Sequence, residues 1–165
     1  MTGNGINVTP NTVQKWISYL ENAYIIDEVP RYSKKAKKEL EQSRKIYDSD
    51  VSMNSIRCKD NRFDLTHNME NIVYNELVYR GFTITVFNNN GKEIAFLAER
   101  GGKKTYVQVA YSVVEEKTWK REFEAFSGIP VYDRKVIITN DDMDYSTSAV
   151  EHIRLIDFLQ NESGI

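Results

Sequence analysis

The sequence is poor in cysteine and in long apolar runs, and each shortage excludes a class of protein. Cys58 is its one cysteine, so the chain cannot form an internal disulfide or a zinc ribbon, and we expect a reducing, cytoplasmic setting. No apolar run approaches the ~20 residues that a membrane helix needs, so we expect no membrane contact. The net charge of −2 lacks the positive excess typical of general nucleic-acid binders. Any DNA binding must therefore depend on local basic patches.

A chain of 165 residues can hold one domain with a sizeable core, or a medium domain with a short appendage. The stretch from Asp48 to Leu65 is polar and irregular, which is typical of a connection. We therefore place a boundary near residue 50, between a segment over 1–50 and a domain over 51–165.

The first segment begins with a strong helix signal. Thr9 is a good N-cap, Pro10 suits the first helical position, and an apolar stripe follows at helical spacing. A strand follows over 24–32, and Pro30 should confine that strand to a sheet edge or a strand end. Next comes a basic run that is either a DNA-binding tip or an ordinary solvated surface, formed by Lys34, Lys35, Lys37, Lys38, Arg44 and Lys45.

From residue 66 onward the patterns predict an α/β sandwich. The predicted elements are a helix over 66–79, one strand over 82–87, two strands over 92–111, a helix over 115–126 and strands over 134–139 and 150–156. A short terminal helix capped by Asp157 follows. In the first helix Glu70 and Glu76 lie about 60° to either side of the buried stripe centred on Val73. We expect Trp16 and Trp119 in the core, and we expect His67 and His152 to be ordinary surface or satisfied residues.

The hairpin over 92–111 is the centre of the predicted fold. Gly101-Gly102 supplies positive φ for a tight turn between its two strands. The alternation of a strand places Glu93, Ala95, Gln108 and Ala110 on candidate common faces.

The sequence resembles two known protein types. The helix and following hairpin near the start, NTVQKWISYLENAYIIDEVPRYS, resemble the second half of a winged helix-turn-helix, whose first helices are missing, so we expect the chain to begin inside a domain. The segments MENIVYNELVYRGF, GKEIAFLAERGGKKTYVQVAY, REF and LIDFL resemble the PD-(D/E)XK nuclease-like region at the C-terminus of bacterial and archaeal AAA+ ATPases. Together these segments cover nearly the whole chain. The GxxxxGK[ST] motif is absent, so an ATPase module is expected only as a partner in cis or in trans.

The resemblance implies a mixed central sheet flanked by helices, with a Mg²⁺ site for phosphodiester cleavage. The helix acid corresponds to Glu70, with Glu76 as the alternative, and the second-strand acid corresponds to Ala95. The third-strand acid and lysine correspond to Gln108 and Ala110. Alanine offers no ligand, so Glu70, Glu93 and Gln108 remain as the candidate metal ligands.

Three functions stay open. The first is a DNA-associated domain of nuclease fold that is catalytically incomplete. The second is a Mg²⁺-dependent endonuclease in which Ala95 is an inactivating, even engineered, substitution. The third is a protein-interaction module on the same scaffold. Arg121, on the crossing helix, either contacts phosphate or pairs with neighbours of Glu122, and we favour pairing.

Overall fold

The computed structural model describes residues 8–33, 38–57, 65–160 and 165, with the backbone alone for 38–43 and 55–57. Its elements in chain order are α1 (Pro10–Asn22), β1 (Ile26–Ser33), β2 (Lys38–Asp48), α2 (Ser52–Arg57), α3 (Leu65–Tyr79), β3 (Thr83–Asn89), β4 (Lys92–Arg100), β5 (Lys103–Val109), α4 (Glu116–Glu124), β6 (Arg134–Thr139), β7 (Glu151–Arg154) and α5 (Leu155–Gln160). No helix in these ranges is long and apolar enough to cross a membrane.

The seven described strands form one mixed sheet in the order β2-β1-β3-β4-β5-β6-β7. The pairs β1–β2, β3–β4 and β4–β5 are antiparallel, whereas β1–β3, β5–β6 and β6–β7 are parallel. The predicted α/β class with a mixed sheet flanked by helices is therefore confirmed. The sheet also runs across the boundary predicted near residue 50, because β1 pairs with β3.

Helix α1 begins as its sequence predicts. The Thr9 hydroxyl accepts a hydrogen bond from the Thr12 N–H at 3.2 Å, and Pro10 occupies the first turn. The helix buries none of its residues, and Trp16 is 51% exposed, so the expectation that Trp16 lies in the core was wrong. The helix rests on β1 with only part of its apolar stripe, which leaves the indole on the open side.

The position of Pro30 differs from the expectation that it lies at a sheet edge or a strand end. Its strand, β1, lies between β2 and β3, not at a sheet edge. Proline is tolerated because the register between β1 and β2 shifts between Val29 and Arg31, and a residue at such an irregularity need not donate to the ladder. The parallel pairing with β3 begins just after it, at Arg31 opposite Val86.

Two apolar clusters form the core, one on each face of the sheet. The α3-side cluster includes Val73, Leu77, Ala95, Phe96, Val107, Val109, Val136, Ile138 and Phe158. The α4-side cluster includes Phe87, Ile94, Leu97, Tyr106, Ala110, Phe126 and Ile137, with Trp119 packed against it. The continuous apolar run of β6 thus feeds both faces, as a doubly buried strand should. Trp119 was predicted in the core; it is half-buried, packs against this cluster and stacks on Phe123 with ring centroids 4.5 Å apart.

A bulge in β4 breaks the alternation expected for the hairpin. Thr85 pairs with Leu97 but Phe87 pairs with Ile94, so β4 holds one residue more than β3 over this stretch. As a result Ala95 and Phe96 both belong to the α3-side cluster. Ala110 belongs to the α4-side cluster, so the expectation that Ala95 and Ala110 share a face was wrong.

The C-terminal elements differ slightly from prediction. Helix α5 already begins at Leu155, so Asp157 lies in its first turn and is not its cap. Strand β7 is correspondingly shorter than predicted, at four residues. The carboxylate still suits the positive end of the helix dipole.

Candidate functional site

An ammonium group lies between two carboxylates where β2, α3 and β4 meet. The Nζ atom of Lys45 is 2.8 Å from Glu70 Oε1 and 2.7 Å from Glu93 Oε1. The three side chains are 23%, 13% and 37% exposed, so the ion pairs are partly withdrawn from water. Two acids that are far apart in sequence are therefore joined through one cation.

Two further donors complete this cluster. The Tyr47 hydroxyl donates to Glu70 Oε1 at 2.5 Å, and Arg31 donates to the second oxygen of Glu93. Burial, followed by the Glu70 charge, raises the pKa of Tyr47 well above its ordinary value, so the hydroxyl keeps its proton. Burial lowers the pKa of Lys45, but Glu70 and Glu93 outweigh it and the net pKa is raised. We call these five residues, Arg31, Lys45, Tyr47, Glu70 and Glu93, the Lys45 cluster.

A second polar group lies where β4 and β5 separate. The β4–β5 ladder ends at the pair Phe96–Val107. Beyond it the Gln108 side chain fills the gap: its Oε1 accepts the Ala95 N–H at 2.9 Å, and its Nε2 donates to Glu122 Oε2 at 2.6 Å. Glu122, on α4, is 7% exposed and also accepts hydrogen bonds from Arg121 at 2.6 and 2.9 Å. Arg121 is thus paired, although with Glu122 itself and not with the neighbours of Glu122 that were predicted.

A cleft of about 540 Å³ borders this group and reaches Glu93. Four cations and three carboxylates line it, together with Gln108 and Ala125: Lys92, Lys117, Lys120 and Arg121 against Glu93, Glu122 and Glu124. Lys92 pairs with Glu124 at 2.8 Å, and Lys120 pairs with Glu116 at 2.5 Å. Lys117 has no ion-pair partner among the described residues and is exposed.

The residues predicted for the site fall into two groups. Glu70 and Glu93 meet in the Lys45 cluster, whereas Ala95 and Gln108 meet at the gap between β4 and β5. The alternative helix acid, Glu76, instead pairs with Arg80 at 2.7 Å. The roles assigned to these residues remain predictions.

Most of the predicted basic tip lies outside the described residues. This holds for Lys34, Lys35 and Lys37, and Lys38 is described by its backbone in β2 alone. Arg44 is exposed, with Nη1 3.5 Å from Glu28 Oε2. The Lys45 ammonium is paired with Glu70 and Glu93 in the Lys45 cluster.

The donor set does not fit the Mg²⁺ ion that the resemblance implies. Mg²⁺ demands six oxygen ligands at about 2.0–2.1 Å. Here Ala95 and Ala110 offer none, the Gln108 amide is already bonded on both ends, and Lys45 lies between the two glutamates. In the described ranges, no three histidine, cysteine, aspartate or glutamate side chains come together in a way that could hold a metal ion.

Sequence reasoning missed the parts played by Lys45, Tyr47 and Glu122. Lys45 was grouped with a basic run; its position two residues before Tyr47, on the same face of a strand, was the available signal that it faces inward. Glu122 follows Arg121 in the REF segment, but a helical glutamate is usually solvated, and nothing in the sequence indicated its burial.

Fold and site together define an α/β protein with a charge-balanced cluster around Lys45 and a charged cleft beside the central hairpin. A family described as a domain of unknown function (DUF8612) matches residues 2–59, which include α1, β1, β2 and α2. An uncharacterized protein of Haemophilus influenzae is 26% identical over 160 residues, which cover 96% of this chain and 39% of that relative. The chain thus spans well under half the length of this curated relative. No solved structure matches the chain.

Proposed function

We propose that this chain is a DNA-associated region of nuclease fold that belongs to a larger ATPase-type protein of the cytoplasm and does not itself cleave DNA. The order α3-β3-β4-β5-α4-β6 around a mixed sheet supports this proposal, since it is the order that the resemblance implies. The order α1-β1-β2, a helix followed by an antiparallel hairpin, supports the winged-helix part in the same way.

The Lys45 cluster is the observation that favours a non-catalytic role. A metal-dependent nuclease needs free carboxylates that bind the ion and polarise a water molecule. Glu70 and Glu93 are instead neutralised by Lys45 and Arg31, and Ala95 carries no ligand. The site as it stands therefore lacks the means to activate a nucleophile.

The cleft beside α4 supports contact with the DNA backbone. Lys117 is exposed without an ion-pair partner in the described ranges, and the Arg121 side chain is 74% exposed although it bonds to Glu122. Lys117 can therefore reach a phosphate freely, and Arg121 can offer its Nη1 to a phosphate while Nε and Nη2 stay on the buried Glu122. Phosphate contacts of this kind position a duplex without reading its sequence.

Fluorescence anisotropy with a labelled DNA duplex tests this proposal. We expect binding at about 50 mM salt that weakens steeply as salt rises, and we expect Lys117→Ala to reduce the slope of log K against log salt by about 1. Lys103→Ala is the matched control, because Lys103 is an exposed lysine near the opposite end of β4. Undetectable affinity for duplex at low salt would refute DNA association.

A second assay addresses cleavage. The variant Ala95→Asp restores the acid that the resemblance implies, and a supercoiled plasmid with Mg²⁺ reports nicking. We expect no nicking by either protein, because Lys45 still holds Glu70 and Glu93. Mg²⁺-dependent nicking by Ala95→Asp would favour the endonuclease hypothesis instead.

Exposed aromatic residues favour a protein-interaction module as the second candidate. On and just after α1, Trp16, Tyr19 and Tyr24 are 51%, 58% and 85% exposed. Aromatic side chains of this kind are enriched at protein interfaces. If the duplex does not bind, this candidate replaces the first, and Trp16→Ala should then weaken capture of an ATPase partner without changing the fold.

A further inference from the structure

We infer that the ammonium of Lys45 takes the place of a divalent cation between Glu70 and Glu93, so that the Lys45 cluster is complete without a metal ion. The inference deepens the proposed function, and what it implies for DNA binding rests on that function. It concerns the metal requirement of the site and can be tested separately from DNA binding.

The contacts of Lys45 are those of a bridging cation. Its Nζ lies at nearly equal distances, 2.8 and 2.7 Å, from one oxygen of each glutamate. These distances suit charge-assisted hydrogen bonds from an ammonium and exceed a Mg²⁺–oxygen bond by about 0.7 Å. The two carboxylates are therefore arranged around the ammonium itself.

The charges of the cluster also balance. Lys45 and Arg31 supply two positive charges, and Glu70 and Glu93 supply two negative charges. The Tyr47 hydroxyl adds a neutral donor to Glu70. A divalent ion that entered this cluster would meet no uncompensated negative charge, and it would have to displace a partly buried ammonium from both partners.

The cluster further joins separate parts of the fold. Arg31 and Lys45 come from the hairpin β1–β2, Glu70 comes from α3, and Glu93 comes from β4. A bridging metal ion would hold these elements together in the same way. Because the lysine is covalently part of β2, this link persists at any concentration of divalent ion.

Removal of the ammonium should therefore create a metal site. In Lys45→Ala, Glu70 and Glu93 would face each other without their shared cation, and two carboxylates in one site repel unless a cation or a proton neutralises them. We expect this variant to bind one Mn²⁺ more tightly than the wild type by about tenfold or more, since the loss of one opposing charge at this range exceeds that factor.

Mn²⁺ titration followed by electron paramagnetic resonance measures this difference. Lys92→Ala is the matched control, because it removes a cation next to Glu93 in the sequence that pairs with Glu124 and not with Glu70 or Glu93, and it should bind Mn²⁺ as weakly as the wild type. The double variant Lys45→Ala/Glu70→Gln should lose the gained affinity. Lys45→Met retains an apolar stem and serves as a second variant where the alanine variant does not fold.

Two outcomes would overturn the inference. One is a wild-type protein that binds Mn²⁺ as tightly as the Lys45 variants do. The other is a folded Lys45 variant, judged by circular dichroism, that gains no Mn²⁺ affinity. DNA anisotropy in EDTA and in Mg²⁺ is a separate measurement: wild-type binding that persists in EDTA supports the inference, and binding that requires Mg²⁺ would contradict it. Loss of DNA binding in both would refute the proposed function while the Mn²⁺ comparison still decides the metal question.

Discussion

Asn71 gives the sharpest test of how α3 is fixed to the sheet. It is fully buried, its Oδ1 accepts the Asp48 N–H at 2.9 Å, and its Nδ2 donates to the Asp48 carbonyl at 2.8 Å. The amide thus pairs with the last residue of β2 as a neighbouring strand would. We predict that Asn71→Ala lowers the free energy of unfolding by about 2–4 kcal/mol.

The magnitude follows from the two hydrogen bonds taken separately. Each is worth about 0.5–1.5 kcal/mol net, and a buried donor that loses its acceptor costs a further ~1–3 kcal/mol. The Asp48 carbonyl keeps a second donor, Asn75 Nδ2 at 3.2 Å, so the further cost applies mainly to the N–H. The expected loss of unfolding free energy therefore stays below the largest value that these contributions could add up to.

Urea denaturation at neutral pH measures this loss. The transition should move to lower urea with an unchanged m-value, since the same surface is exposed on unfolding. Asn75→Ala is the matched control and should cost less than about 1 kcal/mol, because Asn75 is half-buried and its bonds are longer. Equal losses for the two variants would refute this account of Asn71.

Two further predictions concern pH and backbone conformation. Burial lowers the pKa of His152, with opposition from two nearby aspartates, so the unfolded state binds more protons and the free energy of unfolding should fall as pH drops below about 6.5. His152→Gln should flatten the pH profile of urea midpoints; a profile that this variant leaves unchanged would contradict the assignment. Gly91 has φ 95°, and an added Cβ would meet no atom within 4 Å, so Gly91→Ala should cost about 1–2 kcal/mol in the thermal or urea transition, through backbone strain alone. Asn90→Gly in the same turn should be neutral within about 0.5 kcal/mol, and a Gly91 variant as stable as the wild type would show that the turn adapts.

Local patterns predicted most of the elements because each depends on a few neighbouring residues. The Thr9 cap, the apolar stripe of α3 and the Gly101-Gly102 turn are signals of this kind, and the structure has a helix, a helix and a hairpin at these places. The apolar run of β6 predicted a strand buried on both faces, which is confirmed. A helix cap, a hydrophobic period and a turn residue are all encoded in the local sequence, so they can be recognised before the fold is known.

The arrangement around the candidate site depends on contacts that such patterns do not contain. The bulge at Ala95 arises from the pairing of β4 with β3, and KEIAFLAER reads as a regular alternation without that partner. Lys45 reads as part of a basic run until β2, α3 and β4 come together. Pro30 indicates a sheet edge when the sequence is read alone, because a register irregularity between β1 and β2 has no sequence signal of its own.

The order of the strands also bears on how the protein meets copies of itself. In the described sheet β2 and β7 have a strand neighbour on one side only, and other parts of the chain already bond some of each open edge. Asn71 pairs with the Asp48 backbone at the end of β2, and the Ser146 hydroxyl accepts the His152 N–H of β7. The sequence of β2, KELEQSRKIYD, has six charged residues in eleven, and β7 has only four residues. A strand added to either edge would therefore gain few hydrogen bonds or would have to desolvate charges. The open sheet is in this way protected against the edge-to-edge growth that leads to fibres.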